Sequence, residues 1–301
     1  MPLPTNPARI LLSGASGQIG GELLHTLAPL GEVIAPSRTE MDLADTASIR
    51  TFIRAARPLW IVNAAAYTAV DQAESEPALA FTLNAEALRT IGTEARELDA
   101  TVLHFSTDYV FNGHSSRPYI ETDSTDPINV YGASKLAGEQ ALAETGAQSF
   151  ILRTSWVYGA TGNNFLRTIL KLARERDTLR IVGDQRGAPT WSRDLARMTA
   201  HVIAHCEQTS TPVSDFTGIY HATANGETTW AAFAAEALRQ LHQREPTAKF
   251  ATITPIATAD YTTAALRPAN SRMSNEKLFR TFNYRMMDWR ESLPQVLAEL
   301  A

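Results

Sequence analysis

The residues best suited to chemistry are a tyrosine and a lysine four positions apart, Tyr131 and Lys135, at the start of a predicted helix. This spacing places both side chains on one helix face, one turn apart. Tyrosine ordinarily has a pKa near 10, and lowering it to about 7 for proton transfer at neutral pH requires roughly 4 kcal/mol. A lysine ammonium about 5 Å away would supply around 3 kcal/mol at an effective dielectric constant of about 20. The spacing occurs often by chance, so its meaning depends on what lies nearby.

A glycine-rich turn directly follows the first predicted strand, with glycines at every third position from Gly14 through Gly17 to Gly20. Glycines let the backbone turn tightly and approach a pyrophosphate, which then lies at the positive end of the following helix. Such a turn can also join a strand to a helix without binding anything. Its position at the first strand–helix junction favours the dinucleotide-binding interpretation.

The end of the second predicted strand carries the residues that would distinguish NADPH from NADH. An NAD site usually places Asp or Glu there to bind both ribose hydroxyls. Here the strand ends in Ser37 and Arg38, and a guanidinium suits a 2'-phosphate because its donors are planar and bidentate. We therefore expect NADPH, with NADH as a weaker alternative, since Arg38 can also be a solvated residue and Glu40 can bind a ribose. Asp42 and Leu43 follow, where contacts with adenine are expected.

Two further strand ends carry small or hydroxyl residues. Asn63–Ala66 (NAAA) ends the third predicted strand, and its small side chains would let a cofactor pass close. Ser106 and Thr107 end the fourth. Open α/β folds bind ligands at the carboxyl edge of the sheet, where all these segments would meet. Together they predict a carbonyl reductase that uses a nicotinamide cofactor.

The elements that must position these residues alternate between short apolar strands and helices. We predict strands at Arg9–Ser13, Glu32–Pro36, Trp60–Asn63, Thr101–Ser106 and Ser149–Thr154, and helices at Gly17–Ala28, Asp45–Ala56, Pro77–Leu98 and Val130–Glu144. This alternation predicts an α/β fold with a doubly wound, Rossmann-like parallel sheet that is covered by helices on both faces. Residues 1–158 are the predicted dinucleotide-binding domain, completed by parts of 187–225.

After residue 158 the alternation becomes less regular. We predict helices at Asn163–Arg176, Arg193–His205, Thr228–Leu241 and Trp289–Leu300, and a strand at Gly218–Ala222. The segment 246–270 is rich in Thr, Ala and Pro and predicts loops with one short strand at most. Residues 159–301 are therefore expected to form a smaller α/β lobe that mainly binds substrate.

Composition excludes several classes of function. A net charge of -5, with both signs spread along the chain, excludes a generic basic surface for nucleic acid. No apolar run approaches the roughly 20 residues that cross a bilayer, and no secretory signal is visible. The single cysteine, Cys206, fits a reducing compartment. We expect a cytoplasmic monomer or homodimer without nucleic-acid or membrane partners. His201 and His205 have the spacing of metal ligands but lack an H-E-x-x-H motif, so we predict packing histidines and no metal site.

The sequence resembles the extended short-chain dehydrogenase/reductases over nearly its whole length, and within them the dTDP-4-dehydrorhamnose reductase family. The glycine turn and the Y-x-x-x-K spacing are common to the superfamily. The blocks Ser106–Phe111 (STDYVF) and Arg153–Tyr158 (RTSWVY) are much more specific to this group. The other matching blocks are Asn63–Val70 (NAAAYTAV), Asn129–Lys135 (NVYGASK), Asn163–Phe165 (NNF), Asp184–Thr190 (DQRGAPT) and Arg267–Arg272 (RPANSR).

The resemblance implies a role for each matching residue. Tyr131 would donate the proton, Lys135 would lower its pKa and hold the nicotinamide ribose, and Thr107 would bind the substrate keto oxygen. The expected substrate contacts are Thr107, Asp108, Trp156 and Arg267. The expected cofactor contacts are Gly14, Gly17, Gln18, Ile19, Gly20, Ser37, Arg38, Asp42, Leu43, Ala64, Ala65, Ala66, Tyr67, Thr68, Tyr131 and Lys135.

The implied activity is reduction of the C4 ketone of dTDP-4-dehydro-L-rhamnose with hydride from NADPH. One alternative is a nucleotide-sugar epimerase or dehydratase, which would keep NAD tightly bound. The Ser37–Arg38 strand end disfavours NAD, although Asp108 is one acid of the kind a dehydratase places beside its hydroxyl residue. A second alternative is a non-catalytic subunit that binds NADP and regulates a partner enzyme. Such a chain would have no need of Tyr131, Lys135 and Thr107.

Overall fold

The computed structural model describes residues 8–300, and its strands fall into one large sheet and three small pairs. The strands are β1 Arg9–Ser13, β2 Glu32–Ile34, β3 Trp60–Asn63, β4 Thr101–Thr107, β5 Ser149–Thr154, β6 Val157–Tyr158, β7 Thr178–Val182, β8 Arg186–Gly187, β9 Thr190–Trp191, β10 Gly218–His221, β11 Thr228–Thr229 and β12 Thr252–Ile256. The helices are α1 Gln18–Leu27, α2 Thr46–Ala56, α3 Val70–Ala73, α4 Pro77–Phe81, α5 Ala87–Glu97, α6 Val130–Thr145, α7 Phe165–Glu175, α8 Ser192–Gln208, α9 Trp230–Arg244, α10 Glu276–Phe282 and α11 Trp289–Glu299.

The large sheet has six parallel strands in the order β10-β5-β4-β3-β1-β2. The direction of winding reverses between β1 and β3, so the carboxyl ends of these two strands flank a crevice. This arrangement confirms the predicted doubly wound parallel sheet. The crevice is the position at which a fold of this kind binds its ligands.

Each face of the sheet carries its own apolar core. Alternate strand residues such as Leu103 and Phe105 pack with α1, α8 and α10 on one face. The strand residues that point to the other face, such as Val102, pack with α2, α5 and α6. Because side chains alternate across a strand, His104 on β4 faces the α6 side of the sheet. This alternation determines which strand residues can meet Lys135.

The C-terminal lobe packs α7, α9 and α11 into two further apolar clusters. Strands β7 and β12 pair in parallel at its edge. Strand β10, although late in the sequence, lies beside β5 in the large sheet. The division of the chain at residue 158 stays a prediction. Within residues 8–300, every helix is too short or too polar to cross a membrane.

The structure differs from the predicted elements in several places. Strand β7 and helix α10 lie where no element is predicted, as do the short elements α3, β6, β8 and β9, and β11 occupies the first two residues of the helix predicted at Thr228–Leu241. Elements of two to seven residues are too short to show a clear periodic pattern. The predicted helix Pro77–Leu98 is divided by a π-helical turn at Thr82–Glu86. Turns of this kind often occur near functional sites, because they insert one extra residue and redirect side chains.

The π turn directs Asn84 at the loop after β3 and at α6. Its side-chain oxygen accepts the backbone N–H of Tyr67 at 2.9 Å, and its nitrogen donates to the Tyr67 carbonyl at 3.1 Å and to Ser134 Oγ at 2.9 Å. Gly138 of α6 lies against the same turn, where a Cβ would be only 2.0 Å from the Asn84 carbonyl oxygen. These contacts hold α6 close to the loop that follows β3.

A buried ion pair holds α6 against β5. Glu139 and Arg153 form two hydrogen bonds, at 3.0 and 2.6 Å, and both side chains are almost fully buried. Ser106 Oγ, on the intervening strand β4, donates to the same carboxylate. Two paired, desolvated charges must keep this geometry, because losing either partner leaves an uncompensated buried charge. The ion pair therefore fixes α6 along its axis and, with it, Tyr131 and Lys135.

Candidate active site

A cavity of about 680 Å³ opens at the carboxyl edge of the large sheet, beside the crevice between β1 and β3. Most of the predicted site residues line it: Gly14, Gly17, Gln18, Ile19, Ala64, Ala65, Ala66, Thr68, Thr107, Asp108, Tyr131, Lys135 and Trp156. Others that line it are not predicted: Ser16, Val70, Phe105, Tyr109, Thr154, Ser155, Val157, Asn163, Phe165 and Trp230. The cavity thus brings the glycine turn and the Tyr–Lys pair together.

The glycine turn has backbone contacts that leave no room for side chains. Gly14 has a φ of +77°, and a Cβ there would lie 2.6 Å from the Ala65 backbone nitrogen. A Cβ on Gly20 would lie 2.0 Å from the Gly14 carbonyl oxygen. Gly20 is therefore required for packing of α1 against the turn, and it does not line the cavity. Gly14 keeps the ends of β1 and β3 in contact.

The residues predicted at the end of β2 lie outside this cavity. Glu40 accepts hydrogen bonds at 2.8 Å from both the backbone N–H and the hydroxyl of Ser37, and these bonds lower the pKa of the Glu40 carboxyl. The side chain of Arg38 is 81% exposed, with Asp42 at 4.0 Å as its ion-pair partner. Leu43 packs on the apolar core of α2 and α5. Of these residues, Arg38 has the side chain most available to a ligand.

Thr107 and Asp108 follow each other at the end of β4. The Thr107 hydroxyl donates to Asp108 Oδ1 at 3.0 Å and accepts the backbone N–H of Tyr109 at 3.2 Å. Burial raises the pKa of the Asp108 carboxyl to about 6, against the lowering effect of the neighbouring Ser271 and Thr107 hydroxyls. The second oxygen of Asp108 is buried without a hydrogen-bond partner among the described residues. It is an acceptor available to a ligand in the cavity.

Tyr131 keeps its proton at neutral pH. Burial raises the pKa of its hydroxyl to about 12. The neighbouring Thr107 hydroxyl lowers this pKa, and the charge of Asp108 raises it. The sequence-based prediction of a lowered pKa is therefore wrong in direction, because desolvation of the phenolate outweighs the favourable interactions. A tyrosine that remains protonated is suited to donate a proton to an oxygen anion.

Lys135 is also fully buried, and its hydrogen-bond partners within the protein lie on β4. Its Nζ donates to the Phe105 carbonyl at 2.6 Å and lies 3.0 Å from Nε2 of His104. Burial lowers the pKa of Lys135 to about 7, against the opposing charge of Glu139. The lysine is thus not a permanent ammonium at neutral pH. His104 has no place in the sequence-based prediction, because a histidine inside a buried strand is ordinarily a packing residue.

Two predicted contacts, Tyr67 and Arg267, do not line the cavity. The Tyr67 hydroxyl donates to Glu76 at 2.8 Å, and both of its backbone polar groups bind Asn84. The Arg267 guanidinium forms a bidentate ion pair with Asp71, at 3.1 and 2.6 Å. This ion pair joins the C-terminal loop that carries Arg267 to the start of α3, beside the cavity. Both residues support the walls of the site.

A family model described as the RmlD substrate binding domain matches residues 8–301. A dTDP-4-dehydrorhamnose reductase from Burkholderia thailandensis is 45% identical over 294 residues, which cover 97% of this chain and 99% of that protein. The chain belongs to the dTDP-4-dehydrorhamnose reductase family. This confirms the resemblance inferred from the sequence blocks.

Solved structures agree with this assignment. A dTDP-4-dehydrorhamnose reductase from Clostridium acetobutylicum matches with a TM-score of 0.89 at 33% identity, covering 97% of this chain and 99% of that one. The enzyme from Bacillus anthracis, in complex with NADP, matches with a TM-score of 0.87 at 33% identity and the same coverage. Both likenesses confirm the predicted fold class over almost the entire chain.

Trp156 forms one wall of the cavity in an unusual conformation. Its φ is +49°, in the left-handed region that non-glycine residues rarely occupy and that often marks functional sites. Its ring stacks on Trp230, with centroids 3.6 Å apart and planes 13° from parallel. The ring centroid of Phe165 lies 4.6 Å from that of Trp230. Trp230 lies about seventy positions away in sequence, so no local pattern predicts this stack.

Gly187 controls the position of the Trp156 ring. A Cβ on Gly187 would lie 2.5 Å from Cε2 of Trp156. We predict that Gly187→Ala displaces this ring and strongly reduces the exciton couplet that two stacked indoles give in far-UV circular dichroism. Trp230→Phe, which removes one indole, should abolish the same couplet.

Gly21→Ala is a matched control for this test, because its Cβ meets only the Ala15 carbonyl at an ordinary 3.7 Å. It should leave the couplet unchanged. An undiminished couplet in Gly187→Ala would show that Gly187 does not determine the stack.

Proposed function

We propose that this protein reduces the C4 ketone of dTDP-4-dehydro-L-rhamnose to dTDP-L-rhamnose, with hydride from NADPH. The observation that carries the proposal is the meeting of Thr107, Tyr131 and Lys135 in one cavity beside the glycine turn. Family membership supplies the identity of the sugar nucleotide. We further propose that the protein acts in the cytoplasm as a monomer or homodimer. In this proposal residues 1–158 mainly bind the cofactor and residues 159–301 the sugar nucleotide.

The glycine turn and the start of α1 fit the pyrophosphate of a dinucleotide. Gln18 and Ile19, in the first turn of α1, line the cavity, and no described side chain caps this helix at Gly17. Its first amides are therefore available to an anion. The small residues Ala64–Ala66 border the same space. NADPH, when bound there, supplies the hydride.

We assign discrimination between the cofactors to Arg38. Its guanidinium is exposed, and its ion pair with Asp42 is long at 4.0 Å, so it can turn to a 2'-phosphate at little cost. Glu40 accepts two hydrogen bonds from Ser37, and these bonds hold the residues after β2 in place. The same bonds occupy the Glu40 carboxylate, which would otherwise be free to bind ribose hydroxyls. This arrangement favours NADPH and leaves NADH as the weaker cofactor.

Tyr131 is assigned as the donor of the proton to the keto oxygen. Hydride addition to a ketone produces an alkoxide, which is a stronger base than a tyrosinate even when the pKa of Tyr131 is about 12. The proton therefore moves downhill from the phenol to the sugar oxygen. Thr107, beside it, can stabilise the developing charge once its hydroxyl turns from Asp108 to the substrate.

Asp108 and Trp156 are assigned to the sugar ring. The unpartnered, buried Oδ2 of Asp108 can accept a hydrogen bond from a sugar hydroxyl, which would remove the cost of leaving it unsatisfied. The stacked rings of Trp156 and Trp230 offer a rigid apolar wall to the less polar side of a deoxysugar. Arg267 supports this pocket through Asp71.

The central experiment supplies NADPH and a panel of 4-keto-6-deoxy sugar nucleotides to the purified protein. We expect NADPH oxidation and a C4 alcohol, identified by NMR. Tyr131→Phe removes the proton donor and should lower kcat by about 10²- to 10⁴-fold with little change in NADPH affinity.

Tyr109→Phe is the matched control, since Tyr109 also lines the cavity and its ring lies 5.6 Å from that of Tyr131. It should stay within a few-fold of wild type. A Tyr131→Phe enzyme that is equally active would contradict the mechanism. A product that keeps its ketone would indicate an epimerase. Binding of NADPH without turnover would indicate a regulatory subunit.

The pH dependence should report the ionisation of Asp108. Because its pKa is raised to about 6, Asp108 is an anionic acceptor above that pH and a neutral acid below it. We predict that kcat/KM for the sugar nucleotide falls as pH decreases through about 6. Asp108→Asn keeps an acceptor oxygen but loses its charge, so it should lower kcat/KM about tenfold at neutral pH and should remove this acid limb. If the limb persists unchanged in Asp108→Asn, another group is responsible.

A further inference from the structure

The segment that joins β6 to α7, residues 159–164, crosses the start of α1 at one wall of the cavity, and we call it the strap. Residues 161–163 of the strap are exposed to solvent. Asn163 also lines the cavity, as does Gln18 in the first turn of α1. The strap thus borders the helix end at which the pyrophosphate of a dinucleotide is expected.

Gln18 fastens the strap to α1 through both ends of its side-chain amide. Its Nε2 donates to the Asn163 carbonyl at 3.2 Å, and its Oε1 accepts from Asn164 Nδ2 at 3.0 Å. Within residues 8–300, these are the hydrogen bonds that join the strap to α1. The family resemblance implies a cofactor contact for Gln18, whereas the structure engages its amide with the strap.

Asn164 organises the strap that Gln18 holds. Its Nδ2 also lies 3.0 Å from the carbonyl oxygen of Gly159 and 3.2 Å from that of Thr161. Its Oδ1 accepts the backbone N–H of Arg167 at 3.1 Å and so caps α7. One side chain therefore connects the fold of the strap, the first turn of α7 and Gln18.

The strap packs against Gln18 without spare room, yet weak bonds hold it there. Gly162 has a φ of +71°, and a Cβ at this position would lie 2.6 Å from Cγ of Gln18. The two hydrogen bonds of Gln18 lie near solvent, where water competes for the same groups. A hydrogen bond of this kind changes an equilibrium by roughly two- to tenfold. The strap is therefore well fitted when closed and can open at little cost.

We propose that the strap opens for a dinucleotide to enter and leave the cavity, and that the hydrogen bonds of Gln18 with Asn163 and Asn164 are the latch that keeps it closed. This inference rests on the proposed NADPH site, which the strap borders. Gln18 is then a positioning residue, and its side chain is not a cofactor ligand. Phe165 directly follows the strap and packs on Trp230, so opening also loosens the wall proposed for the sugar.

The kinetics of NADPH binding distinguish a latch from a cofactor contact. Gln18→Met keeps the length of the side chain and removes both hydrogen bonds. Because the strap must open for entry and for exit alike, stopped-flow fluorescence should show both the association and the dissociation rate constants rising about tenfold, with little change in Kd. A side chain that binds the cofactor would instead give a higher Kd through faster dissociation alone. That result, or unchanged rate constants, would overturn the proposal.

Asn164→Asp breaks the latch from the other side. Aspartate keeps the oxygen that caps α7 but cannot donate to Gln18. It should raise both rate constants as Gln18→Met does, and the double variant should add little, because the two substitutions remove a shared hydrogen bond. Effects that multiply in the double variant would contradict the latch. Glu22→Gln is the matched control, since Glu22 lies one turn further along α1 and binds Arg193. It should leave both rate constants at wild-type values.

A spin label reads the strap without any cofactor. The chain has one cysteine, Cys206, and it is buried, so Thr161→Cys at an exposed position can be labelled selectively with a nitroxide. We expect a more mobile electron paramagnetic resonance line shape when Gln18→Met or Asn164→Asp is added, and no change with Glu22→Gln. Identical line shapes in all four proteins would overturn the proposal. This readout needs neither NADPH nor turnover, so failure of the proposed reaction would leave it intact.

Discussion

Lys135 is buried on α6, where water cannot satisfy its amine, so its hydrogen-bond partners must come from the protein or from a ligand in the cavity. Those from the protein lie on β4, whose residues 104 and 105 present a ring nitrogen and a carbonyl oxygen to it. Because these partners are fixed by the sheet, α6 has little freedom to shift along its axis. Tyr131, one turn earlier on α6, therefore stays beside Thr107 at the end of β4. The position of Tyr131, the proposed proton donor, thus depends on the burial of Lys135.

Several features that would each lower stability on their own hold α6 in place. The π turn in the helix before it directs Asn84 onto α6, and Gly138 is small enough to admit the turn. The buried ion pair of Glu139 with Arg153 joins α6 to β5. An isolated buried ion pair contributes little net stability, but it strongly disfavours any arrangement that separates its charges. These interactions specify the position of the helix more than they stabilise the fold.

Much of this could be predicted from the sequence, because its information is local. The parallel sheet follows from alternating strands and helices, and the glycine turn from the spacing of Gly14, Gly17 and Gly20. The roles proposed for Tyr131 and Lys135 rest on their spacing and on the resemblance to a known family. The sign of the Tyr131 pKa shift could not be predicted, since it depends on burial, which only the packed structure defines. The Trp156–Trp230 stack and the contact of His104 with Lys135 join residues on separate elements, and no pattern in the chain connects them.

Direct hydride transfer to C4 of the sugar, followed by proton donation from Tyr131, is the central step of the proposed reaction. The most direct measurement uses NADPH deuterated at both C4 positions of the nicotinamide, with dTDP-4-dehydro-L-rhamnose in ordinary water, and locates the label in the product by NMR. We expect dTDP-L-rhamnose with one deuterium on C4 of the sugar and none elsewhere. A product without deuterium at C4, or one that retains its ketone, would contradict it.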